Sequence, residues 1–336
     1  MTNPALKIIA PKTQVAPQGE PTAAAEIELI WDDITVGGWK DLLKKAPRSN
    51  ILQTWAYAKT NLMLYRLWPR FGVFYRQGKP VAMALVTTRR LFGLEVVRIH
   101  RAPVWLVKNP SPDLVLAVLH ELRTAYPAKW SRRLSFLPDL PESPKTHELL
   151  RKAGFHPRDN TPYRSSYLDL TPPLAEIQKG FSKSFRNSLK TSAGLDFTII
   201  VDPSKIAVHD MLVGYVKDRA KGKYRGPSVK FLRTLHKNCR PHEWLLLEAW
   251  HEDQLIAVQL FVLHGNAATY QVGWTTDRGR NACAHHAMML EAIKRLKQAG
   301  VEGLDLGGLA LDKNEGLNTF KKGLGGSDYT LTGSWK

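Results

Sequence analysis

The chain has 336 residues, and 48 Lys+Arg against 30 Asp+Glu give it a formal charge of +18 at neutral pH. That length favours two domains of roughly 100–200 residues each, and 43% hydrophobic with 23% charged residues excludes a mostly disordered chain. No apolar run approaches the roughly 18–20 residues of a membrane span. The first twenty residues carry only the short stretch Ile8–Ala10, so no secretory core is expected. Two cysteines, Cys239 and Cys283, make neither a disulfide framework nor a zinc site. A soluble, cytoplasmic protein is expected. A surplus of this size also suits a polyanionic partner. Residues 161–240 hold fifteen Lys/Arg and six Asp/Glu, half of the surplus in a quarter of the chain.

Residues 1–26, rich in Pro, Ala, Thr and Gln, read as a disordered leader. A first globular unit is expected over 27–160. Within it, Phe71–Val86 reads as two apolar strands joined by a Gln-Gly turn. Pro112–Tyr126 has proline near its start and helical apolar spacing. A second unit is expected over 161–326 and repeats the pattern. Leu245–Leu263 forms strand, Glu252-Asp253 turn and strand, and Ala267–Trp274 a further strand. Ala282–Ala299 forms a helix closed by Gly300, and Leu304–Leu306 a short strand. The two hairpins lie about 170 residues apart, which reads as an internal duplication of one α/β unit.

Strand–turn–strand, strand, helix, strand is the order of GCN5-related acyltransferase (GNAT) folds. Four segments narrow this further: SNILQTWAYAK at 49–59, FSKSFRNSLKTSAGL at 181–195, LHGNAATYQVGW at 263–274, and GVEGLDLGGLALDKNEGLNTFKKGLGG at 300–326. In order, they resemble the signature segments of the FemA/FemB/FemX family of aminoacyl-tRNA-dependent peptidyltransferases. The resemblance covers Ile27 to the C-terminus. It implies an α/β fold of two tandem GNAT-like domains, each a mixed β-sheet flanked by helices. It also implies that the last stretch, 327–336, returns to complete the first domain. No long heptad arm is present, so the chain resembles the shorter FemX-like form.

Aminoacyl transfer to an amine passes through a tetrahedral oxyanion and needs positive charge or hydrogen-bond donors there. No nucleophilic residue is required, and the sequence has no Gly-x-Ser-x-Gly elbow. The resemblance implies that Lys321, after Phe320 and before Gly323, Gly325 and Gly326, supports that charge or the terminal ribose and phosphate of the tRNA. On sequence it reads as a mobile lysine on an exposed glycine-rich loop. Asp305 ends a strand and can orient an amine, take its proton, or cap the following turn. Trp55 and Lys59 share a helical face; the resemblance implies core packing for the indole and acceptor phosphates for the lysine. Tyr270 falls in the third signature segment and is assigned to the acceptor. Where the family has an arginine, this chain has Pro227, and Arg225 or Lys230 is left to substitute.

Lys179, Lys183, Arg186 and Lys190 have spacings of 4, 3 and 4, which predicts one basic helical stripe suited to the tRNA backbone. His285 and His286 have no third ligand at metal spacing, and no metal or cofactor is expected. The expected partners are aminoacyl-tRNA as donor and an amine-bearing peptide or muropeptide as acceptor, with no DNA. Contact with a membrane surface stays open. Two alternatives remain. One is an acyl-coenzyme A-dependent N-acyltransferase, although Arg278–Ala284 offers one glycine where a pyrophosphate cradle needs several. The other is a non-catalytic RNA-binding protein on the same scaffold.

Overall fold

The computed structural model describes residues 26–336 except 159–161, 202, 203, 223, 225 and 310–314. The leader expected over 1–26 therefore lies, but for Glu26, outside the described residues. So does Arg225.

The first half runs β1 (Ile27–Trp31), α1 (Val36–Lys45), a 3-10 turn (Ile51–Gln53), α2 (Trp55–Tyr65), β2 (Trp68–Arg76), β3 (Lys79–Leu91), β4 (Leu94–Ala102), β5 (Val104–Trp105), α3 (Pro112–Ala125), β6 (Arg132–Pro138) and α4 (Pro144–Lys152). The second half begins with β7 (Arg164–Asp169), α5 (Leu174–Lys179), α6 (Lys183–Ala193), β8 (Thr198–Val201), α7 (Lys205–Gly222) and α8 (Val229–Asn238). It continues with β9 (Trp244–His251), β10 (Gln254–His264), β11 (Ala267–Thr275), α9 (Asp277–Asn281), α10 (Ala284–Gln298), β12 (Gly303–Asp305), α11 (Glu315–Lys322) and β13 (Ser327–Thr330).

The elements form where local chemistry asks for them. Gln77 and Gly78 both take positive φ and turn β2 into β3. Ser111 caps α3 by accepting from the Leu114 N–H, and Pro112 stands in its first turn. Leu114, Val115, Val118, Leu119 and Leu122 then bury one stripe of that helix. On the second sheet, α10 buries Met288, Met289, Ala292, Ile293 and Leu296 in the same way.

The two sheets share one plan. The first has the order β1-β2-β3-β4-β6 with β5 also on β3, and the second β8-β9-β10-β11-β12-β7-β13. In each, four antiparallel strands are followed by a helical crossover to a parallel fifth, through α3 in one and α10 in the other. The expected duplication is therefore present. Each sheet has its own apolar core. A third cluster packs Ile51 and Ala56 of the first half against Met211, Leu212, Leu232 and Leu235 of α7 and α8.

The end of the chain is shared between the sheets. β13 pairs with β7 in the second sheet. Beyond it, Phe136 and Trp335 exchange backbone hydrogen bonds of 3.0 and 2.7 Å, and His156 and Lys336 exchange another pair. The Trp335 indole is fully buried in the first core with Phe136 and Phe155. Residues 327–330 thus extend the second sheet, and from Thr330, whose carbonyl accepts from the Glu142 N–H at 2.8 Å, the chain passes over to the first half.

Candidate active site

β11 and β12 pair in parallel only from Ala267–Gly303 to Thr269–Asp305. There the chain leaves the ladder. Gly307 takes φ +72°, Leu306 donates to the Ser166 carbonyl, and Leu309 to that of Arg164. β11 continues alongside β10 to Thr275, so from Tyr270 onward its other edge has no partner strand among the described residues. A register shift between Leu260 and Phe261 sits at the same level, a feature that often re-aims side chains beside active sites.

Lys321 lies at this place. It is not the exposed loop lysine that the sequence suggests. It occupies the last turn of α11 and is only 5% exposed. Its Nζ donates to the carbonyls of Gly308 at 2.7 Å and Gly307 at 3.2 Å. Burial pushes the ammonium pKa down to about 8, with Asp305 opposing the shift. Such a group is a fixed cation with three N–H donors, two of them directed at the Gly307 and Gly308 carbonyls.

Asp305 holds the turn that receives Lys321. Its Oδ1 accepts from Ser165 Oγ at 2.6 Å and from the Gly307 N–H at 2.9 Å, and its Oδ2 from Tyr329 Oη at 2.6 Å. Arg101 of the first domain stands 3.7 Å from Oδ2. Burial alone would raise this carboxyl's pKa, but Arg101 and the three donors outweigh it and lower it. Both oxygens are committed, so Asp305 suits a positioning role and not that of a base taking a proton from an amine.

Arg101 also pairs with Asp139, Nε to Oδ1 at 3.3 Å. Burial opposes its charge, but Asp139, Tyr329 and Asp305 together raise its pKa. Arg48 stacks over Tyr329 at 3.7 Å and Tyr167 at 4.9 Å. Nearby, the Ser49 hydroxyl meets His264 Nδ1 at 2.9 Å, and His264 Nε2 meets Thr269 Oγ1 at 2.8 Å. Burial holds the His264 pKa down at about 4, so this bridge between the domains is neutral at pH 7. The sequence reasoning missed Arg48, Ser49, Arg101, Ser165 and Tyr329. Ser49 and Tyr329 lay inside segments already singled out, whereas Arg101 has no local signal.

Of the remaining predicted residues, Tyr270 and Phe320 stay near this turn, the Tyr270 carbonyl 3.1 Å from where a Cβ on Gly307 would be, and the others lie apart from it. Phe320 is buried against Phe185 and His286, with ring centroids at 5.6 and 5.2 Å. Tyr270 is buried and stacks on Phe261 at 5.2 Å; burial raises its pKa. Trp55 stacks on Phe71 at 4.4 Å within the first domain, leaving Lys59 exposed one turn on. Gly325 does not admit a ligand but its own chain, since a Cβ there would lie 2.3 Å from the Gly180 carbonyl oxygen. Lys230 sits in the first turn of α8, exposed.

The basic stripe is broken. α5 ends at Lys179, and Ser182 caps a new helix by accepting from the Phe185 N–H. Lys183, Arg186 and Lys190 share the exposed face of α6, but Lys179 belongs to another axis. Arg186 donates to the carbonyls of Lys179 and Phe181 and thereby spans the break. α6 is fastened to α11 by Phe185 against Phe320 and by Ser182 N–H to the Gly323 carbonyl at 2.8 Å. His285 Nε2 donates to the Trp274 carbonyl, 2.9 Å away, and burial holds its pKa at about 4. Among the described residues, no group of three or more His, Cys, Asp or Glu side chains is placed to hold a metal. No helix among them is long and apolar enough to cross a membrane.

Comparison with known proteins bears on the fold. The family model of the acetyltransferase (GNAT) domain matches residues 181–322. No curated protein matches the sequence. The crystal structure of FemX superposes with a TM-score of 0.76 at 12% identity, over 91% of this chain and 96% of that one. A conserved protein of unknown function from Bacteroides thetaiotaomicron gives 0.58 at 15% identity, over 90% and 99%. A tandem GNAT protein from the clavulanic acid biosynthesis pathway gives 0.51 at 15% identity, over 92% and 98%. The chain thus has the tandem GNAT fold in its FemX-like form.

Proposed function

We propose that this protein is an acyltransferase that moves an aminoacyl group from aminoacyl-tRNA to an amine of a peptidoglycan precursor or another peptide-like acceptor. The reaction takes place where β11 and β12 part. The observation that carries this reading is the buried Lys321 ammonium at that place. The acceptor amine attacks the ester carbonyl, forming the new C–N bond. The C–O bond to the terminal ribose breaks, and the proton lost by the amine ends on the departing ribose oxygen. Negative charge develops on the carbonyl oxygen in between. A Lys321 N–H aimed there acts at low dielectric without reorganisation. Asp305, itself anchored by Arg101, Ser165 and Tyr329, fixes the Gly307 turn and hence the lysine.

Two further features favour a tRNA donor. The exposed cations of α6 stand on a helix packed directly against the one that carries Lys321. The connection from β11 to α10 is also poorly suited to coenzyme A. The N–H groups of Gly279, Arg280, Ala282 and Cys283 all donate within the connection itself, to Thr276 Oγ1 and to the carbonyls of Thr276, Arg278 and Arg280. A pyrophosphate cradle needs such N–H groups directed outward. The acyl-coenzyme A reading draws on the GNAT family match and serves as the alternative outcome.

The test is a donor screen with purified protein: charged tRNAs against acetyl- and longer acyl-coenzyme A, with a panel of amines. Discharge of tRNA with transfer to an amine is expected. Release of coenzyme A without tRNA discharge would overturn the proposal. In the same assay, Lys183→Ala with Lys190→Ala should weaken tRNA binding and lower its salt slope by up to about 2.

A further inference from the structure

The internal repeat lets one end of each sheet be compared with its counterpart. In the second sheet the β10–β11 hairpin turns at Gly265 and Asn266, and this end is docked on the first domain. A Cβ at Gly265, φ +56°, would lie 2.4 Å from the Leu43 carbonyl oxygen. The adjacent His264 is held by Ser49. The equivalent end of the first sheet is the β3–β4 hairpin, which turns at Phe92 and Gly93, together with the loop into β6.

This end is bare and aromatic. Phe92 is fully exposed and Trp130 is 93% exposed, with Leu91 and Trp68 also exposed. Pairing of Glu95 with Arg132, and of Glu95 N–H with the Ser131 carbonyl at 2.7 Å, brings the Trp130 loop beside the hairpin tip. The hairpin projects past the last β2 pair, Trp68 with Thr88. Phe92 has φ +46°, a left-handed backbone that a bulky aromatic disfavours and that turn chemistry reserves for Asn, Asp or Gly. Neither packing nor backbone preference accounts for phenylalanine there, and outliers of this kind point to function. Arg90, Lys129 and Arg133 are exposed around the tip, while the carboxylate of Glu95 is neutralised by Arg132 at 2.7 Å.

We infer that this end of the first domain docks on an anionic lipid bilayer surface. On projecting loops a tryptophan such as Trp130 settles in the headgroup layer with its N–H wet, while the wholly apolar Phe92 ring reaches towards the acyl boundary. Flanking cations then meet anionic headgroups. A convex tip of this shape suits a deformable lipid interface, and its charge is complementary to it.

The experiment is co-sedimentation of the full chain with vesicles of phosphatidylglycerol and phosphatidylcholine, compared with phosphatidylcholine alone. The protein should bind the anionic vesicles at least about tenfold more tightly. Phe92→Ser with Trp130→Ser should lose about tenfold or more of that binding with an unchanged melting temperature. Arg90→Ser with Lys129→Ser, which leaves the aromatics in place, should lose about tenfold on anionic vesicles only. The inference is overturned if the native chain does not bind, or if the aromatic variant binds equally well. It is also overturned if that variant loses self-association or tRNA binding while vesicle binding persists.

Discussion

The first and second sheets carry the same parallel strand pair around the same kind of crossover helix, yet the pairs end differently. In the first, β4 and β6 stay together from Glu95–Arg132 through Ala102–Pro138. The discontinuity there lies between β3 and β4, beyond Val86–Ile99, and the Gln53 side chain fills it. Its amide donates to the Leu85 and His100 carbonyls and accepts from the Leu85 N–H at 2.6 Å. In the second sheet the parallel pair ends at Asp305, and a lysine is brought to the gap in place of an amide. Gln53 satisfies every backbone group it meets and remains neutral. Lys321 brings a charge that burial disfavours. One sheet is closed for stability, while the other keeps an electrostatic strain that transfer chemistry can use.

The difference is tested first at Lys321. Lys321→Met keeps the volume and removes the charge, and should lower the transfer rate about 100- to 1000-fold in single-turnover assays. The native rate should itself fall as pH rises through about 8, where the ammonium loses its proton. Stability should move the other way. The folded-state pKa lies below the ordinary 10.5, so between the two values the unfolded chain holds the extra proton, and the native protein gains stability as pH rises. The burden is full below about pH 8. Lys321→Met should therefore be more stable at pH 7, by about 2 kcal/mol in urea denaturation, with the gain shrinking towards pH 11. An unchanged rate would make Lys321 a structural residue like Gln53.

The converse substitution is Gln53→Ala. It strands the Leu85 N–H and the Leu85 and His100 carbonyls in a buried place and should cost about 3 kcal/mol. Turnover per folded molecule should not change. A fall in turnover at full stability would mean that the first sheet takes part in the chemistry.

A smaller effect is expected at the bridge between the halves. His264 is buried with its pKa held at about 4 against an ordinary 6.5. Between these values the unfolded state binds the proton, so stability is lost as pH falls from about 6.5 towards 4. His100 and His285 are lowered in the same way by burial. In His264→Gln the acid limb, followed by thermal melting, should be less steep by about 1.4 kcal/mol per pH unit. An unaltered limb would remove His264 from the acid response.

Much of the architecture was legible locally. The Gln77-Gly78 turn, the Ser111-Pro112 helix start, Gly300 beyond α10 and the spacing of apolar residues on α3 and α10 mark elements whose causes lie within a few residues. The repeat followed from their order. Lys321 and Asp305 were legible as separate candidates, because both sit in one segment near the end of the chain, but the Gly307 turn that joins them was not. The four-cation stripe misled, since spacing assumes one unbroken helix. A serine cap at Ser182 and the approach of Gly325 to Gly180 put Lys179 on a separate axis.

The amino-acid sequence by itself determined where strands, turns and helices form and which chemical groups are available, because propensity, capping and periodicity act between near neighbours. Tertiary structure alone decided what those groups do. Burial of Lys321, the commitment of both Asp305 oxygens, the neutrality of His264 and the plug at Gln53 depend on residues distant in the chain. Hydrogen-bond partners and local dielectric set charge state and reactivity, and both are properties of the packed neighbourhood.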